Sequence, residues 1–177
     1  MTVEVVFETH STSVDNERGI ATGWLRGRLS ERGKRQAEEL GRRRRDDGLG
    51  AVFTSDLARA VETAEIAFAG SEIPIYRDAR LRECNYGELN GAPVAKLDPV
   101  RLRHLDEPFP GGESYREAVA RVGDFLAELE RADDERVLLI GHAATRWALD
   151  HLVDNVPLEE LVAAPFDWRE GWEYRLG

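Results

Sequence analysis

Apolar residues in this chain fall in short dense runs, separated by longer stretches in which they recur at helical spacing. VEVVF at 3–7, AVFTS at 51–55, IPIY at 73–76 and RVLLIG at 136–141 are too short for buried helices, and they read as strands. Pro74 suits the start or edge of its strand. Ser30 is the expected N-cap of a helix over 31–45, with Gln36, Ala37 and Leu40 in its body. Ser55 or Asp56 is expected to cap a helix running to about Phe68, which Gly70 stops. Val119, Val122, Phe125, Leu126 and Leu129 mark a helix over 114–131, and another follows over 143–152. The segment 81–111 is broken by glycines and prolines, with room for one short helix after Pro93. The tail, 170–176, predicts an edge strand.

Strands alternating with helices imply an α/β fold: one three-layer domain over 1–177, with a mainly parallel sheet covered by helices on both faces. No repeat, low-complexity block or linker divides it. A length of 177 residues supports one substantial core. No run of eighteen apolar residues is present, so no membrane span is expected. Strand-like sequence begins at Val3, so no signal peptide is expected either. The single Cys84 cannot form an internal disulfide, which suits a cytoplasmic location.

A net charge of −10 argues against nucleic-acid binding. RRRRDDG at 42–48 is the local exception. Its arginines sit at a predicted helix end, where cations complement the dipole, and they read as solvated. Nothing in the sequence reports on oligomeric state, and a homodimer is compatible with it.

In sheets of this kind, ligands bind outside the carboxyl ends of the strands. His10 follows the first strand and His142 follows RVLLIG. Arg59 lies in the first turn of the helix after AVFTS, and Glu83 lies in the glycine-bearing loop after the third strand. Taken singly, each residue has a plainer reading as a satisfied polar side chain or a solvated one. His104 and His151 keep that structural reading. Jointly, the four support phosphoryl transfer. A neutral imidazole can attack phosphorus, and an arginine can bind its non-bridging oxygens. A second imidazole, if protonated, can bind another oxygen, while a carboxylic acid with a raised pKa protonates the leaving alkoxide. These steps call for no metal or other cofactor, and no HxxH, HExxH or CxxC spacing offers a metal site.

The sequence resembles the histidine phosphatase superfamily, or phosphoglycerate mutase-like family, over nearly its whole length. SDLARAVETA, LRECNYGELNG, GGES and VLLIGHAATRWAL resemble successive family motifs in the family's order. The resemblance implies that His10 is the phosphorylated nucleophile, Glu83 the proton donor and His142 the second catalytic histidine. It also implies phosphate-binding roles for Arg59 and Asn16. The family keeps an arginine and a glycine around its nucleophile, where this chain reads Thr9-His10-Ser11. Losing one such donor costs about 10²–10³ in rate. Two kinds of replacement are open: the hydroxyls of Thr9, Ser11, Thr12 and Ser13 with nearby backbone N–H groups, or Arg18, Arg26, Arg28, Arg82 or Arg146, with Arg26 and Arg28 favoured.

The expected activity is a metal-independent phosphomonoester hydrolase, acting through phospho-His10 on a small phosphorylated metabolite. A mutase fits the short chain less well, because it must exclude water and 92–110 is the one segment available as a lid. The alternatives are a weakened relative that binds an anion without turnover, and a subgroup with shifted substrate or chemistry in specialised biosynthesis. For the latter, Trp24, Trp147 or Trp168 would face an apolar-bodied substrate.

Overall fold

The computed structural model describes residues 2–177. In chain order it contains β1 (Val3–Thr9), α1 (Val14–Arg18), β2 (Ile20–Ala21), α2 (Glu31–Arg44), β3 (Ala51–Thr54), α3 (Ala58–Ala67) and β4 (Ile75–Arg77). There follow β5 (Ala92–Pro93), α4 (Val94–Leu97), α5 (Tyr115–Leu129), β6 (Arg136–Gly141), α6 (Ala143–Leu152), α7 (Leu158–Ala163) and β7 (Trp172–Leu176). The main sheet has the order β4-β3-β6-β1-β7. Its first four strands are parallel, and β7 closes the β1 edge antiparallel.

β6 is apolar throughout because both of its faces are covered. Side chains alternate across a strand, so Val137 and Leu139 enter the core under α5 and α6. Leu138 and Ile140 enter the opposite core, with Leu40, Ala60 and Ala64. All four are fully buried, each burial being favourable by about 1.5–3 kcal/mol. The same alternation divides β1. Val5 and Phe7 face the α5–α6 side, whereas Val6 faces α2 and α3. β7 is half-covered: Trp172, Tyr174 and Leu176 are buried while Glu173 and Arg175 are exposed.

Helix starts follow local chemistry. Ser30 accepts from the Gly33 N–H and Ser114 from the Glu117 N–H. Gly33 is required for another reason: a Cβ there would collide with the Thr12 carbonyl, so its absence lets α2 approach the loop after β1.

Several expectations are corrected. The N-cap of α3 is Leu57, which caps with no side chain; the Ser55 hydroxyl stands two residues earlier, accepting from the Leu57 N–H and meeting His142 Nε2. The third strand begins at Ile75 instead of Ile73. The short elements α1, β2 and α7 have no periodicity long enough to announce them. The arginine run is solvated only in part: Arg42 and Arg45 are exposed, whereas Arg43 and Arg44 turn inward. Glu8 is 2% exposed, and it accepts from Arg43 Nε and Nη2 at 3.2 and 2.6 Å and from Arg44 Nε at 2.9 Å. Arg45 Nε donates to the Ala67 carbonyl. Following the alternation, Glu8 falls on the α2 side of β1, and a buried carboxylate there needs cations.

Candidate active site

The loop after β1 is fastened at every residue. The His10 N–H donates to the Gly141 carbonyl, Ser11 N–H to Thr63 Oγ1, and Thr12 N–H to Gln36 Oε1. Ser13 and Asn16 form a reciprocal capping box at the start of α1. These N–H groups are therefore already paired, and only the hydroxyls of this loop remain to replace the absent cation. Asn16 lines the cleft, but its side-chain oxygen is spent on Ser13, leaving its NH₂ for a ligand.

The His10 and His142 rings stand 5.0 Å apart, centroid to centroid. His10 Nδ1–H donates to the Ser11 carbonyl at 2.7 Å, which assigns the free lone pair to Nε2. His142 caps α6 at the end of β6 and is 1% exposed. Its Nε2 meets Ser55 Oγ at 2.7 Å, at the end of β3. Its Nδ1 has no partner, the one such buried side-chain polar atom among the described residues.

Burial holds the His10 pKa down at about 3, with the Arg59 charge acting in the same direction and the Ser11 carbonyl opposing. Part of its ring opens to the cleft, so the desolvation comes from the walls and not from full enclosure. Burial, then Arg59, His10 and Arg121, push His142 well below the usual range. Both imidazoles are thus neutral at physiological pH. A neutral second histidine is still a donor, through its Nδ1–H if Ser55 donates to Nε2.

Glu83 lies across the cleft, where its Oε1 accepts from the backbone N–H of Cys84 at 2.8 Å and of Ala144 at 3.3 Å. The second of these is in the first turn of α6, favourable for a carboxylate. Arg121 of α5 fixes this acid loop, donating to the carbonyls of Arg80, Arg82 and Glu83, each at 2.8 Å. Trp24 Nε1 also donates to the Glu83 carbonyl. Arg59 is 3% exposed, and two of its five N–H groups hold the carbonyls of Gly23 and Leu25 at 2.8 and 3.0 Å. It acts on both imidazoles through its field.

Thr9, His10, Ser11, Asn16, Glu83 and His142 line one cavity of about 640 Å³ at the carboxyl ends of β1 and β6. The expected substitutes for the missing arginine do not line it. Arg18, Arg26 and Arg28 are exposed elsewhere, Arg82 is paired with Asp56, and Arg146 with Asp150. The arginines on this cavity are instead Arg32, Arg43 and Arg101, and Arg43 is committed to Glu8. Sequence reasoning missed Arg101, Arg121, Thr63 and the role of the Ser55 hydroxyl. Ser55 could have been found as the opening residue of SDLARA. Thr63 is likewise the threonine of SDLARAVETA, whereas Arg101 and Arg121 carry no local signal. His104 stacks on Phe109, and His151 meets the Val156 carbonyl; neither lines the cavity. Among the described residues, no three His, Cys, Asp or Glu side chains gather as a metal-holding group.

Comparisons with known proteins bear on the family and the fold. The chain is 33% identical over 171 residues to a 2,3-bisphosphoglycerate-dependent phosphoglycerate mutase of Methylobacterium radiotolerans, covering 86% of this chain and 79% of that protein. It is similar in fold to YhfR of Bacillus stearothermophilus, with a TM-score of 0.83, 28% identity, and coverage of 97% of this chain and 90% of that one. A mycobacterial glucosyl-3-phosphoglycerate phosphatase superposes with a TM-score of 0.78 at 26% identity, covering 92% and 84%. Residues 6–167 match the family model of the histidine phosphatase superfamily (branch 1), and the chain belongs to that superfamily.

Proposed function

We propose that this protein is a metal-independent phosphomonoester hydrolase that works through a phosphohistidine on His10. The observation that carries the reading is the pair of desolvated, neutral imidazoles: one has its Nε2 lone pair free, and the other has an unpartnered buried Nδ1. In the first step His10 Nε2 bonds to phosphorus as the ester P–O bond breaks, and Glu83 gives its proton to the departing alkoxide. His142 Nδ1–H donates to a non-bridging oxygen as charge develops there, and the field of Arg59 favours the same charge. In the second step Glu83 takes a proton from water, the water oxygen bonds to phosphorus, and the Nε2–P bond breaks. Thr9 and Ser11 contribute hydroxyls at the cavity wall, and Asn16 its NH₂.

The acceptor in this reading is water. The solved relative named as a phosphatase supports hydrolysis, whereas the Methylobacterium relative carries a mutase name. The mutase name of that relative supports a second reading, in which phospho-His10 returns its group to an organic hydroxyl. We place the protein in the cytoplasm. Its one cysteine, Cys84, is buried and free, and no helix of the described chain is long and apolar enough to cross a membrane.

The test is a panel of phosphate monoesters, assayed with wild type and His10→Ala, together with acid-labile phosphoenzyme trapping. Inorganic phosphate release and a trapped phosphoenzyme, both lost in His10→Ala, are expected. Turnover that survives His10→Ala removes the mechanism. Phosphate binding without turnover of any ester favours a binding protein, and transfer to an added phosphoglycerate without phosphate release favours the mutase.

A further inference from the structure

A second cavity, of about 600 Å³, adjoins the catalytic one, and the two share Glu83, Arg101, Ala143 and Phe166 as their common wall. The shared wall includes the proton donor, so this chamber opens where the leaving oxygen of a bound ester must stand. The catalytic cavity holds the phosphoryl-transfer groups; the chamber is lined by hydrocarbon together with the charged Asp98 and Arg146. Val94, Trp147, Leu161 and Val162 form its sides. Leu102 and Phe166 stand at its mouth, 53% and 62% exposed. Arg101 is held at the junction by Asp98 and by the Tyr115 hydroxyl, so one flat guanidinium face is fixed beside both cavities. A fixed guanidinium stacks on aromatic rings.

We infer that the chamber receives the alcohol part of the substrate, and that this part is a bulky, mainly apolar alcohol or phenol. The inference rests on the hydrolase reading. It also accounts for a nucleophile loop without its arginine: part of the binding lost at the phosphate is recovered from the organic body. A small polyhydroxylated ester would leave the hydrocarbon walls wet and gain nothing from them.

The test compares 1-naphthyl phosphate with glycerol 3-phosphate on wild type, Leu102→Glu and Ala164→Trp. Ala164 is exposed on the chamber wall, so a tryptophan there fills the space without entering the core. Wild type is expected to favour the naphthyl ester in kcat/KM by about tenfold or more, the scale of one to a few well-placed apolar groups. Ala164→Trp should abolish that preference and Leu102→Glu should reduce it several-fold, both through KM, with glycerol phosphate turnover held within about twofold of wild type. A preference unchanged by both substitutions, or a wild-type preference for glycerol phosphate, overturns the inference. If neither ester turns over, the hydrolase reading falls by itself and calorimetry decides the chamber. Binding of naphthyl phosphate tighter than inorganic phosphate, and lost in Ala164→Trp, supports it; equal binding overturns it.

Discussion

Replacing Ser55 by alanine removes one oxygen atom and tests how the second histidine is held. Ser55 is fully buried, and its hydroxyl lies 2.7 Å from His142 Nε2. If the hydroxyl donates to Nε2, the ring proton must sit on Nδ1, the unpartnered atom. Without it both ring nitrogens are buried and unpaired, and the tautomer that donates from Nδ1 is no longer selected. Leaving a buried polar group unpaired costs about 1–3 kcal/mol of stability. Removing an oxyanion donor outright costs about 10²–10³ in rate. A misdirected donor costs less, so kcat/KM should fall about 10–100-fold, or roughly 1.4–2.7 kcal/mol at 1.36 kcal/mol per decade. The assay is steady-state hydrolysis of 1-naphthyl phosphate by Ser55→Ala, His142→Ala and the double variant, with urea unfolding of each. Since Ser55 is proposed to act through His142, the double variant should be no slower than His142→Ala. Additive losses, or Ser55→Ala within twofold of wild type, would refute the reasoning.

Other predictions follow from the same contacts. Glu8→Ala strands two guanidinium groups at the end of β1; urea unfolding should show a loss of about 3 kcal/mol, at the low end for a broken buried pair. The low end is chosen because Arg43 is 23% exposed and Arg44 retains Asp47, and a loss under 1 kcal/mol contradicts the pairing. Stability should also fall in acid. The folded His10 pKa of about 3 lies below the 6.5 of the unfolded chain, so the unfolded state binds more protons between those values, and stability is lost as pH falls through that window. The slope is up to about 1.4 kcal/mol per pH unit for each such histidine. His142 shifts in the same direction, and His10→Ala should flatten the wild-type slope measured from pH 6.5 to 4; an identical slope rules the shift out. Thr9→Arg should raise kcat/KM for small dianionic phosphates, by up to about 10², whereas a fall would mean that the pocket is organised around threonine.

What the sequence determined was whatever depends on neighbours along the chain. Alternating short apolar runs and amphipathic stretches are enough to specify a parallel α/β sheet, and strand ends followed by His10 and His142 mark its carboxyl rim. The Ser30 and Ser114 caps were legible because capping is a contact over three residues. Only the tertiary structure decided what lies across the sheet. Glu8 and Arg43 are 35 residues apart, Ser55 and His142 are 87 apart, and no periodicity links such pairs. The arginine run looked solvated because its cations suit a helix end, and the register of β1 beneath it turned two of them inward. Arg101, in the irregular segment after Pro93, reaches the cavity only because α5 and α7 pack beside it. Desolvation likewise belongs to the fold: the residue type permits His10 to be a base, but the packed walls keep it neutral.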